Sequence, residues 1–126
     1  MDEAELFSFE KLDAYKHSCA LVRSIYKKVE KLPIEERYAL CDQLRRAAVS
    51  ITSNIAEGMS RISPKEQIHF LEISYSSMME VLSQLQLAVD LDYLPQSDFD
   101  EERKHIKTTS KLILALRHSI QKKINK

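Results

Sequence analysis

The sequence predicts an all-α protein, an antiparallel up-down-up-down four-helix bundle, and three observations carry that expectation. The 126 residues include one Gly and three Pro, too few for a fold built on tight hairpins, which need Gly-type backbone freedom. Leu, Ile, Ala, Glu, Lys and Arg are abundant, and with so little Gly and Pro this composition as a whole favours helices over strands. Apolar residues recur alternately three and four positions apart over long segments, the period of a helix that buries one stripe. Punctuation at Lys31-Leu32-Pro33, Gly58 to Pro64 and Tyr93-Leu94-Pro95 separates those segments without the length of a domain linker. One domain over residues 1–126 follows, with helices at roughly 9–31, 34–59, 64–92 and 98–124.

The first helix carries Leu12, Tyr15, Cys19, Val22, Tyr26 and Val29 as its seam, and the second carries Cys41, Leu44, Ala48, Ile51 and Ile55. Within the second, Gln43 to Gly58 is a dense run of small residues, which lets two backbones approach closely; Gly58 is expected to end or bend the helix. The third helix has the strongest start signal, Ser63 as N-cap, Pro64 at the first helical position and Glu66 placed for a capping box. Its seam reads Ile68, Leu71, Tyr75, Met78, Leu82, Leu85 and Val89. For the fourth, Ser97 is the candidate cap, Asp98, Asp100, Glu101 and Glu102 crowd the first turn, and Lys122, Lys123 and Lys126 crowd the last, complementing the helix dipole. Ile106, Thr109, Ile113, Leu116 and Ile120 form its seam. Apolar residues beside the seams remain, among them Leu21, Ile25, Leu32, Phe70, Ile73, Val81, Ala88 and Leu91. A core absorbs some of these, and the excess predicts a self-association interface at Leu21, Ile25, Phe70, Ile73 and Val81.

Composition narrows the function classes. At 44% hydrophobic residues the chain suits one globular core rather than disorder. No stretch approaches the roughly 18 apolar residues of a membrane span, and no apolar run follows a basic N-terminal segment, which predicts a cytoplasmic protein. Cys19 and Cys41 lack the companions of a zinc pattern and read as buried free thiols. His17, His69, His105 and His118 form no paired-ligand motif; Glu66 with His69 is a single Glu-x-x-His copy, where a carboxylate-bridged metal pair needs two. A Gly-rich phosphate loop is absent as well, so neither a cofactor, a metal nor catalysis is expected.

Two polar surfaces compete for a binding role. Arg46, Ser50, Ser53 and Glu57 share one face of the second helix, with Asn54 beside them. On one reading Arg46 and Glu57 form ion pairs to neighbouring helices while the Ser and Asn side chains make close helix contacts. On the other, Arg45, Arg46 and Arg61 face a ligand phosphate that Asn54 helps to orient. The fourth helix presents only positive charge after Glu102, with Lys104, Lys107 and Lys111 on one face; this strip either tracks a phosphate backbone or is a solvated outer face. The formal net charge of +0 and pI of about 6.9 speak against strong non-specific DNA binding through bulk charge.

The run Arg45-Arg46-Ala47-Ala48-Val49-Ser50-Ile51, continuing at Ser53-Asn54-Ile55-Ala56-Glu57-Gly58, together with Phe9-Glu-Lys-Leu, Ile25-Tyr26, Leu32-Pro33 and the segment from Phe70 to Leu94, resembles a bacterial family, the four-helix-bundle proteins encoded in 23S rRNA intervening sequences. Thr52 stands where relatives often have Pro, Tyr15 where many have Trp, and Ser76 where Gly is common; Thr52 keeps the backbone N–H that Pro lacks and leaves the helix less kinked. The resemblance implies homopentamers of side-by-side bundles. It also implies nucleic-acid binding, since the similar accessory proteins of diversity-generating retroelements are basic pentamers that engage nucleic acid and a reverse transcriptase. The expected function is therefore a non-enzymatic homo-oligomer that binds nucleic acid, foremost structured RNA, through Arg45, Arg46, Arg61, Lys104, Lys107 and Lys111. The alternatives are a protein–protein interaction scaffold and a small-ligand or metal-binding bundle.

Overall fold

The computed structural model describes residues 2–125; Met1 and Lys126, the last of the lysines expected in the C-terminal turn, lie outside them. Short 3-10 turns at Glu3–Glu5 and Ser8–Lys11 lead into four helices, α1 (Asp13–Val29), α2 (Leu40–Met59), α3 (Pro64–Asp90) and α4 (Gln96–Ile124). Both α2 and α4 pack on α1 and on α3, so the helices stand at the corners of a square. Cross-helix contacts run in opposite directions along each pair. Ser24 and Lys28 meet Glu102 while Lys31 meets Asp98; Ser50 meets Ser77 while Gly58 meets Phe70. The arrangement is antiparallel, and the up-down-up-down order follows.

Local chemistry moves several helix ends from where the sequence pattern puts them. Residues 8–11 form a 3-10 turn, and Leu12 in an extended conformation (φ −74°, ψ 133°) separates it from α1. Another 3-10 turn at Ile34–Glu36 precedes α2, which starts at Leu40 rather than near 34. Ser63 and Pro64 open α3 as expected, but the Ser63 side chain makes no capping hydrogen bond and the box with Glu66 does not form. The cap of α4 is Pro95, in an extended conformation (φ −72°, ψ 154°), so Ser97 lies inside the first turn. Between α3 and α4, Asp92 adopts φ 64°, a left-handed conformation that Asp tolerates better than most residues, and the Tyr93 and Leu94 N–H groups then donate to the Ala88 carbonyl.

The core confirms the seam of α2 and, apart from half-buried Leu116, that of α4; it bears out the α3 seam at Ile68, Leu71, Met78 and Leu85 and corrects that of α1. Cys41, Leu44, Ala48, Ile51 and Ile55 are buried, as are Ile106, Thr109, Ile113 and Ile120. On α1 the buried positions are Ala14, Ser18, Leu21, Ile25, Lys28 and Val29, whereas Tyr15, Cys19 and Val22 are half-buried and Tyr26 is exposed. The stripe is rotated by about one position: Leu21 and Ile25 lie at its centre, and Ala14, Ser18 and Lys28, small or polar side chains that hydropathy does not mark, complete it. Ser18 fits by donating to the Ala14 carbonyl at 2.6 Å. On α3 the stripe widens past the seam: Ser74, Ser77, Val81 and Ala88 are buried along with Ile68, Leu71, Met78 and Leu85, while Tyr75, Leu82 and Val89 sit at the margin. Both thiols are free, but only Cys41 is buried; Cys19 is half-buried. Burial, reinforced by Glu36, outweighs Arg45 and pushes the Cys41 thiol above its usual range.

Small residues bring α2 and α3 together. The Ser74 hydroxyl donates to the Ile51 carbonyl at 2.8 Å, and Ser50 and Ser77 share a hydrogen bond of 2.8 Å. Gly58 is not the cap of α2, which is Ser60; it is buried inside the last turn, where a Cβ would fall 2.8 Å from Phe70 Cβ and 3.3 Å from the Gln67 carbonyl oxygen. Gly58→Ala therefore sets a helix-propensity gain of about 1 kcal/mol against an overpacking cost of about 1–3 kcal/mol. The expected outcome is a lower thermal midpoint, read by circular dichroism; a stabilised variant would show that α3 yields without cost.

Candidate nucleic-acid interface

The zero net charge conceals a segregation that only the packing of the helices creates. The layer formed by α1 and α4 carries eleven Lys and Arg against five Asp and Glu, while the layer of α2 and α3 carries three against six. On α1, Lys16, Arg23 and Lys27 are exposed, recurring seven and four positions apart on the side opposite the core. On α4, Lys104, Lys107, Lys111, Lys122 and Lys123 are exposed. None of the lysines at 104, 107 and 111 has a carboxylate within 4.0 Å among the described residues, and Arg103, Lys104 and Lys107 line an open groove beside Asp100. Such a surface concentrates positive potential on one side of a neutral molecule. The α1 contribution is missing from the surfaces that the sequence predicts; its signal lies in the spacing of Lys16, Arg23 and Lys27, but a misplaced seam hides which face they occupy.

A buried ionic cluster joins the two helices of this layer. Glu102 is fully buried and accepts hydrogen bonds from the Ser24 hydroxyl and from Lys28 Nζ, the latter at 2.9 Å; Lys28, only 6% exposed, also reaches Glu101 at 3.1 Å. Lys31 pairs with Asp98 at 2.7 Å one turn further on. Glu102 Oε2 has no hydrogen-bond partner among the described residues, and His105 Nδ1 stands 3.8 Å from it. Burial pulls the Lys28 ammonium down, but the hydrogen bonds and charges of Glu102 and Glu101 outweigh it and hold the group above its ordinary value of 10.5. The acidic residues that crowd the first turn of α4 thus do more than match the helix dipole.

The structure distributes the six sequence-predicted phosphate contacts over separate places. Lys104, Lys107 and Lys111 stand together on α4. Arg45 and Arg46 lie on α2, lining an open groove of about 510 Å³ with Tyr26, Asp42, Val49, Ser50, Ser53 and Asn54. Arg61 lies just beyond the far end of α2, paired with Glu57 at 2.8 Å and 4.9 Å from the Phe70 ring centre. The ion pairs of Arg46 and Glu57 are local, Arg46 to Asp42 at 3.0 Å and Glu57 to Arg61, instead of reaching neighbouring helices. Ser50 does contact α3, whereas Asn54 Nδ2 turns back to the Ser50 carbonyl and hydroxyl at 2.8 and 2.9 Å. Of the expected interface residues, Leu21, Ile25 and Val81 have 0% exposure in the single chain and are core, because the true stripes of α1 and α3 run through them. Phe70 and Ile73 are half-buried and reach the surface.

Fold and surface together define a class: a charge-segregated antiparallel four-helix bundle in which, among the described residues, no three His, Cys, Asp or Glu side chains gather to hold a metal ion and no helix is long and apolar enough to cross a membrane. The family described as 23S rRNA-intervening sequence protein matches residues 10–115, and the chain belongs to that family. Its fold is similar to the crystal structure of a protein of unknown function from the S23 ribosomal protein family of Bacteroides thetaiotaomicron VPI-5482, with a TM-score of 0.74 and 20% identity over 82% of this chain and 97% of that one. At that identity the likeness concerns the fold. No curated protein matches the chain.

Removing Lys28 alone strands a buried carboxylate, so Lys28→Met is expected to cost about 3–5 kcal/mol, and adding Glu102→Leu recovers most of that stability. A lysine whose folded pKa is raised contributes stability that is present below 10.5 and fades as pH climbs through the folded value. Urea unfolding across alkaline pH should accordingly show a shallower decline above 10.5 in the double variant than in the wild type; parallel declines would mean that the pair contributes nothing there.

Proposed function

We propose that this bundle is a non-enzymatic, cytoplasmic nucleic-acid-binding protein that assembles as a homo-oligomer, a pentamer by family resemblance, and holds structured RNA on its α1/α4 layer. The observation that carries the reading is the charge segregation, eleven cations against five anions in one layer of a molecule whose total is zero. Lysines dominate the exposed part of that layer, and they act as flexible point charges suited to phosphates more than to base edges. The described aromatic residues of α1 and α4 sit elsewhere: Tyr15 and Tyr26 lie on other faces of α1, Tyr15 packing on Phe9 and Tyr26 lining the α2 groove, while Phe99 is buried. With lysines rather than Tyr, Phe or Trp rings dominating its outer face, such a layer favours a helical phosphate backbone over unstacked bases. Belonging to a family named for rRNA intervening sequences agrees with an RNA partner. Repetition around an oligomer multiplies the field of each layer, and Phe70 and Ile73, the expected interface residues that reach the surface, are the proposed contacts between copies.

One observation favours a second reading, a protein-interaction scaffold. At the C-terminal end of α3, Leu87 and Leu91 are exposed at 50% and 53% beside Asp90 and Asp92, an apolar and acidic combination suited to another protein. Nuclease treatment of the purified assembly separates the two readings, since a protein partner held through that surface survives the digestion.

The electrostatic reading predicts that Lys107→Glu with Lys111→Glu weakens binding to an RNA stem. The slope of log affinity against log salt should fall by about one for each phosphate that the variant no longer neutralises. Both side chains are exposed, so the unfolding midpoint should not move. Fluorescence anisotropy between about 50 and 200 mM salt, the span over which such phosphate interactions are usually resolved, checks it; an unchanged slope excludes the α4 strip.

A further inference from the structure

The groove on α2 has a different composition from the lysine layer. Across its outer face run Arg45 and Arg46, with Tyr26 of α1 contributing to the lining and Val49, 42% exposed, between them. Its volume of about 510 Å³ falls within the range of sites that hold a small organic group. Arg45 extends the cluster toward the preceding connection: its Nη2 lies 3.5 Å from the Arg37 carbonyl, and the Arg37 guanidinium stands 5.7 Å from the ring centre of Tyr38. Tyr38 is 85% exposed. Arginines alternating with exposed tyrosines occur at this one end of the bundle, where α1 leaves and α2 begins.

Each group has unused capacity. Arg45 makes no ion pair within 4.0 Å among the described residues, and the Arg37 carbonyl at 3.5 Å occupies it only at the limit of a hydrogen bond. Arg46 uses Nε on Asp42 at 3.0 Å, which leaves its two terminal amino groups for another acceptor. Asn54 spends its amide nitrogen on Ser50, so its Oδ1 remains to accept, and the exposed Ser53 hydroxyl lies in the same lining. An exposed tyrosine ring stacks on any base, a guanidinium pairs with a phosphate, and a side-chain amide or hydroxyl meets a base edge or a ribose 2′-OH. The lysine layer is dominated by the second kind of contact.

We propose that this end of the bundle binds one or two unpaired nucleotides of a nucleic-acid strand, with bases against Tyr26 and Tyr38 and the intervening phosphate at Arg45 and Arg46. The inference rests on the nucleic-acid reading of the family fold and assigns it a second, chemically distinct contact: single-stranded here, helical backbone on the α1/α4 layer. Asp42 tempers the site, since it already neutralises Arg46, so affinity comes from stacking as well as charge and depends less steeply on salt than binding to the lysines.

The test measures anisotropy of a labelled uridine decamer and, separately, a labelled RNA stem with blunt ends, on the full chain. Tyr26→Ala with Tyr38→Ala is expected to weaken decamer binding about tenfold or more, as removal of base stacking does, while stem affinity stays within about twofold. Tyr26→Phe with Tyr38→Phe, which keeps both rings, should retain decamer binding, and that retention distinguishes stacking from damage to the fold. Decamer binding that is undiminished in the alanine variant, or that falls in step with stem binding, overturns the proposal. A wild-type chain that binds the stem but not the decamer also overturns it and leaves the α1/α4 reading intact; a chain that binds neither overturns both.

Discussion

The α1/α4 layer depends on one buried ion pair. Eleven cations on two adjacent helices repel one another, and Lys28 with Glu102 places an attraction of the opposite sign in the seam between them. Because Glu102 is fully buried and Lys28 nearly so, solvent screens the pair little, and the Ser24 hydroxyl and Glu101 satisfy further hydrogen-bonding capacity. Burying charges is costly by itself; here the cost accompanies a fixed register, since Lys28 can meet both carboxylates near the start of α4 at one relative position of the helices. That register sets Lys16, Arg23 and Lys27 beside the lysines of α4 in one layer.

On the other side of the square the constraint is steric. Gly58 against Phe70, Ser74 against the Ile51 carbonyl and Ser50 against Ser77 mark a close approach, in which small side chains let two helices share backbone-level hydrogen bonds. The polar residues that look functional in the sequence are largely consumed there or in local ion pairs, as Arg46 with Asp42 and Arg61 with Glu57 show. What is left over for a ligand is the outer surface of α2 near its start, where Arg45, Tyr26 and the Arg37–Tyr38 turn meet. Two patches of different chemistry result, one dominated by lysines on α1 and α4 and one where arginines of α2 meet Tyr26, and they border one another on α1, where Tyr26 directly precedes Lys27.

Much of this was legible in the chain. The apolar period marked four helices, Pro64 marked the start of α3, and the lysine strip of α4 follows from helical spacing alone. Less legible was which of two neighbouring stripes on α1 is the core, and how far the core stripe of α3 spreads beyond Ile68, Leu71, Met78 and Leu85. Tyr15, Val22, Tyr26, Tyr75 and Leu82 look more hydrophobic as a set than Ala14, Ser18, Lys28, Ser74 and Ser77, yet the second set is buried. Size and pairing decided it: Ala and Ser permit close packing, and Lys28 enters only because Glu102 receives it.

The sequence by itself determined that this protein is all-α, that its helices are amphipathic and where most of them end, and which family it belongs to, because these are properties of local period, propensity and residue order. Tertiary structure decided which helices become neighbours, and with them the split of a neutral chain into a cationic and an anionic layer. That outcome sums charges from segments far apart in the chain, such as Lys27 on α1 and Lys107 on α4, and no local rule adds them until packing has placed them side by side.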